Sequence, residues 1–170
     1  RLQMTNMTAF DLLGGISLTQ VLISVIAVIL TFFTAVLLGF HSQGSLWLAI
    51  LVGVLTSFSI IGVGLIIACL ARTVSEAFIY ANFPLLFLMF FTGAAFPIPA
   101  VPLFTVGSRT IGLFDVLPPT HAVVALNKVL TLRAGFGDIL YEVAALTILS
   151  LLYFGIGVWL FQRIRLHKAV

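Results

Sequence analysis

The chain is 170 residues long, 62% hydrophobic and only 8% charged, with a formal net charge of +3. Soluble domains carry roughly 25% charged residues, and a fold this small leaves about a third of its unfolded surface in solvent; a water-soluble protein is therefore excluded, and lipid must face the excess apolar surface. The basic residues are dispersed and gather only at the C-terminal end, which fits membrane orientation better than nucleic-acid binding.

The opening segment RLQMTNMTAFDLLGG starts at Arg1 and lacks the basic-then-apolar order of a secretory signal. The chain thus reads as the continuation of something longer. A bilayer core about 30 Å thick needs about 20 apolar helical residues, and four stretches qualify: Leu18 to Phe40, Leu46 to Leu70, Phe78 to Phe96, and about Ile139 to Phe161. The connections HSQGS (41–45) and ARTVSEA (71–77) are short enough to force neighbouring spans antiparallel. Cys69 lies within an apolar run and reads as a small buried hydrophobe.

The connection from Pro97 to Asp138 is unlike the others. Arg109, Asp115, Lys128 and Arg133 make it too polar to span, yet it is too apolar for an ordinary solvated loop, and five of the six prolines break it into pieces. One piece begins at Pro118-Pro119-Thr120, where proline suits a first helical turn, and continues through HAVVALNKVLTL. Thr120, Asn127, Lys128 and Thr131 would form its polar stripe, with Val123, Leu126, Val129 and Leu130 covering much of the rest. Such a helix lies in the interface or re-enters the membrane, and re-entrant backbone persists only where protein or a wet cavity surrounds it. The expected fold class is all-α: a polytopic transmembrane helical bundle of four spans with short external re-entrant or interfacial helices, forming one transmembrane domain over residues 1–170.

Arg1, Arg72, Arg163, Arg165 and Lys168 fall on one side of these spans and Arg109, Lys128 and Arg133 on the other. The cluster QRIRLHK after the last span puts both termini in the cytoplasm, with the long connection outside.

Catalytic patterns are missing from the sequence. His41, His121 and His167 are scattered without metal-site spacing, and neither a GxxxxGK[ST] phosphate loop nor a GxSxG serine elbow is present. Candidate functional residues are instead irregularities within the spans. Pro84 frees the carbonyl of Tyr80, and Asn82 puts an amide in the apolar zone; with Phe83 they read either as a bent segment lining a substrate path or as a kink held by a neighbouring helix. Glu142 reads equally as a pathway residue or as a hydrogen-bonding partner of the long connection. Gly53, Ser57, Gly64 and Ala68, on one side of the second span, read as a helix-packing seam.

The segments FPLLFLMFFTGAAFPIP (83–99) and LPPTHAVVALNKVL (117–130), followed by a last span with a basic tail, resemble the membrane subunits of type-2 ATP-binding-cassette exporters. They are similar to that family's fifth span, the external helical pieces after it and its sixth span. The family has six spans, so the resemblance implies that two precede Arg1. It further implies a permease that contributes the translocation path and pairs with a second copy, identical or not, in a bacterial or archaeal cell membrane. Energy would come from a separate ATPase subunit that holds the ATP and magnesium; no cofactor is expected in this chain. Thr5, Thr8 and Asp11 would lie near the region coupled to that ATPase. A non-transporting membrane scaffold and a fragment of an ion-coupled carrier are the alternatives, the latter short of intramembrane ionisable groups.

Overall fold

The computed structural model describes residues 9–94, 96, 102–106 and 109–166. Four long helices are apolar enough to cross a membrane: α1 (Ala9–Leu37), α2 (Leu46–Leu70), α3 (Val74–Phe91) and α5 (Phe136–Phe161), the last continuing into a π-helical turn, Gln162–Leu166. A fifth helix, α4 (Pro118–Leu132), lies in the long connection. The expected helical bundle is thus the observed one. The connection also contains a feature the sequence did not announce, an antiparallel hairpin of β1 (Pro102–Val106) and β2 (Arg109–Gly112).

Helix boundaries follow local chemistry. α1 stops at Leu37 although the sequence stays apolar to Phe40, because Gly39 adopts φ 91° and the Phe40 amide turns back to the Ala35 carbonyl. That is a left-handed helix stop, which glycine makes at least cost. α3 begins four residues before the charge-free stretch: the Thr73 hydroxyl accepts from the Glu76 amide, and the Glu76 carboxylate accepts from the Arg72 amide at 2.8 Å. Asp138 accepts from the Gly135 amide and starts α5 three residues earlier than expected. A 3-10 turn, Leu113–Val116, is fixed likewise by Asp115 accepting from the Gly112 amide.

The core is formed where α2, α4 and α5 meet. Leu48, Ala49 and Val52 of α2 pack with Ala122, Ala125 and Val129 of α4 and with Ile139 and Leu146 of α5. Lower down, α2 and α5 touch through glycine: a Cβ on Gly62 would stand 2.9 Å from the Phe154 amide nitrogen, and one on Gly157 would stand 2.9 Å from the Leu65 Cβ. Small residues let backbones approach closely enough for dispersion to hold helices together where lipid offers no hydrophobic drive. α1 leans on this block through Val28 against Gly53 and through Phe32. None of the α3 side chains is buried.

Candidate functional site

The functional interest of the fold centres on α4. Pro118 and Pro119 begin it, a position at which their missing amide hydrogens go unneeded. Arg133, at φ 55°, ends it in a left-handed conformation. Its last turn is gripped by the turn between α1 and α2. The Gln43 amide donates to the Leu130 carbonyl, the Arg133 Nε donates back to the Gln43 carbonyl at 3.1 Å, and a Cβ on Gly44 would overlap the Val129 carbonyl oxygen. From there α4 runs back alongside α2 and α5. Its 15 residues cover roughly 22 Å, and its first turn borders a cavity of about 170 Å³ shared with Ser59 and Ile60 of α2, Pro84 and Phe87 of α3, and Tyr153 of α5. Since Ser59 lies 13 residues beyond the start of α2, roughly 20 Å along it, α4 reaches the middle of α2, as a re-entrant helix would. Its backbone is sheltered by α2 and α5, the condition under which re-entrant segments survive.

The polar stripe of α4 divides into separate tasks. The Thr120 hydroxyl donates to the Phe114 carbonyl, and His121 Nε2 lies 2.8 Å from the Asp115 carbonyl, fastening the preceding turn to the helix. Asn127 and Thr131, hydrogen-bonded to each other, face an open groove of about 460 Å³ with His41 and Gln43. Lys128 turns the other way, its Nζ 2.6 Å from Glu142 Oε1 on α5. The Glu142 side chain is only 6% exposed and that of Lys128 32%, and Glu142 Oε2 is buried with no hydrogen-bond partner among the described residues.

The candidate path residues do not converge. Glu142 is buried between α4 and α5, in contact with the long connection as one of its two readings required. Asn82 and Phe83 lie on the outward face of α3, where the Asn82 amide donates to the Phe78 carbonyl of its own helix at 2.8 Å. Pro84 alone of these borders the cavity. The candidate seam also divides. Gly53 sits against α1, with Val28 3.0 Å from a Gly53 Cβ, and the Ser57 hydroxyl donates back to the Gly53 carbonyl of its own helix, whereas Gly64 has open space beside it among the described residues and Ala68 is exposed. The tighter seam of Gly62 and Gly157 was missed. It is legible as small residues recurring on another face, Ser59, Gly62 and Cys69 on α2 and Ser150 and Gly157 on α5. Asp11 falls in the first turn of α1; Thr5 and Thr8 lie outside the described residues.

The family model for ABC-2 type transporters matches residues 1–130, a stretch that includes α1 to α3, the hairpin and most of α4. The chain belongs to the ABC-2 type transporter family. Neither a curated protein nor a solved structure matches it. This ABC-2 chain is an integral membrane protein carrying the membrane permease domain of an ABC-type transporter, and such domains typically work with an ATPase subunit. A family member whose task is transport explains why its chemistry-bearing side chains act as helix ties.

Proposed function

We propose that this ABC-2 chain is the permease half of an exporter that moves an amphipathic or lipid-like substrate. A separate ATPase subunit binds ATP and magnesium and hydrolyses the nucleotide, and a second permease copy completes the path. The observation that carries this reading is the family match over residues 1–130. The arrangement of α4 supports it: a re-entrant helix between two spans, next to a mid-span cavity, is suited to opening and closing a path. The basic cluster after α5 favours cytoplasmic termini, which would put the turn at 41–45 and the α4–α5 junction outside.

In this reading α1 is the lever. Its first turn, with Asp11, leads directly into a span and would carry a rigid-body shift of the ATPase into the bundle. The test is ATP hydrolysis and transport measured together on the complete transporter in liposomes. ATPase stimulation by the permease should fall with charge reversal at Asp11 and fall less with Asp11→Asn. A complete transporter that binds no ATPase and still moves substrate would replace the exporter reading with an ion-coupled carrier.

A further inference from the structure

We propose that Lys128 and Glu142 form a releasable clasp that positions the re-entrant helix α4. The transport cycle in which the clasp works is taken from the exporter reading above; the docking itself does not depend on it.

Three features of the structure combine. The first is a hinge. The final turn of α4 is held to the turn between α1 and α2 by backbone and side-chain hydrogen bonds at Gln43, Leu130 and Arg133, and by the close contact of Gly44 with the Val129 carbonyl. The second is room to move, since the opposite end of α4 faces a cavity of about 170 Å³. Between these ends, α4 presents Ala122, Ala125 and Val129 to α2 and α5. Short side chains interdigitate little, so this surface can slide or swing without dismantling the core.

The third feature is the clasp, which sits between hinge and cavity. Its members are unequal. Glu142 is enclosed roughly 9 Å along α5, whereas Lys128 is at the margin, on a flexible stem that can withdraw its ammonium toward a wetter region. Among the described residues only one carboxylate oxygen is used: Oε1 accepts from Lys128 at 2.6 Å, and Oε2 is buried without a partner. A permanent anchor would satisfy both oxygens. A half-satisfied buried carboxylate raises the energy of the docked state, leaving it close enough to an undocked one for the two to exchange. The hydrogen bonds of Thr120 and His121 do not oppose the movement, because their partners, the Phe114 and Asp115 carbonyls, immediately precede α4 and travel with it; the edge-on contact of the His121 ring with Tyr141 of α5, centroids 5.9 Å apart, is the one that must give way.

The experiment is amide hydrogen exchange of the complete transporter in lipid nanodiscs, with transport assayed on the same preparations. Glu142→Gln removes the charge and keeps the shape. It should speed exchange at residues 122–128 at least ten-fold while leaving 129–132, beside the hinge, and α2 within two-fold of the native protein. The exchanged pair Lys128→Glu with Glu142→Lys should restore protection. Replacing both by methionine should keep α4 protected but lower transport per ATP hydrolysed at least five-fold, since that contact does not release. If Glu142→Gln does not fold, Lys128→Gln makes the same exchange prediction. Unaltered exchange at 122–128 in a charge-removing variant would overturn the clasp, as would native transport by the methionine pair. A native protein that moves nothing when its ATPase turns over would defeat the exporter reading, and the exchange result would still decide whether the pair holds α4.

Discussion

Two regions of this molecule are both apolar and are packed in opposite ways. In the block of α2, α4 and α5 the contact surfaces are Ala49, Ala122, Ala125, Gly62, Gly157 and Ser150, all small, with the larger Leu48, Val52, Val129, Ile139 and Leu146 filling the remaining space. On α3 the side chains are Phe83, Leu85, Leu86, Phe87, Met89 and Phe90, all exposed. Hydrophobicity does not decide how the regions pack, because an apolar side chain gains little on leaving lipid for protein. Helix association in a membrane depends on close backbone approach and on polar ties. The block has both; among the described residues α3 has no buried side chain and no polar tie to another helix, so it is the surface left for lipid or for other helices of the transporter.

The comparison is broken most severely at Gly44. A methyl group there meets the Val129 backbone carbonyl, which no side-chain rotation can move aside. Gly44→Ala should therefore displace the last turn of α4 and destabilise the protein by about 3 kcal/mol, the upper end of ordinary point substitutions. Thermal unfolding in detergent checks it; a native unfolding temperature would mean that the turn does not grip α4. Next come Gly62→Ala and Gly157→Ala, which overpack the α2–α5 seam and should cost about 1–3 kcal/mol each. A Cβ on Gly157 would also lie 3.4 Å from the Gly62 carbonyl oxygen, so the double substitution should cost less than the two single costs added together.

The sequence made the spans legible and left their ends obscure. α2 is legible to the residue, Leu46–Leu70, because polar connections bound it on both sides. The start of α3 is not, because Glu76, which interrupts the apolar run, is the residue that caps the helix. Nor is the end of α1, because hydropathy is blind to the backbone reversal at Gly39. In the candidate site, Glu142 stood out as an ionisable group in a span, but its partner is 14 residues away on another helix. The pair could have been found by folding the sequence at Arg133–Gly135, which brings Lys128 and Glu142 to similar distances from the turn. The hairpin of β1 and β2 offered no comparable signal: short strands broken by proline and glycine have no length over which a period can be read.

The effect at Asn82 should divide between fold and function. Its amide bonds only within its own helix and its surface is exposed, so Asn82→Leu should change stability by no more than about 0.5 kcal/mol. If α3 lines the path, transport should nevertheless fall several-fold in the same preparation. Native transport would assign that face to lipid.

The effect at Gly64 is the most informative about what covers the bundle. Gly64 sits on α2 only two residues from Gly62, yet among the described residues nothing apart from its chain neighbours and its own helix backbone lies within 4 Å of the position its Cβ would take. Within this chain, Gly64→Ala should be neutral or stabilising, by up to about 1 kcal/mol, the helix-propensity difference between the two residues. The sign changes if a helix from a second copy, or from elsewhere in the transporter, packs there. A methyl group would then hold the backbones apart and weaken the contact. Comparing unfolding temperature with the oligomeric state in mild detergent separates the cases. A variant that melts at or above the native temperature with its assembly intact leaves this face to lipid. One that dissociates while the block of α2, α4 and α5 stays protected from hydrogen exchange would identify the Gly64 face as an interface, and would extend the rule that separates α3 from the block to contacts between chains.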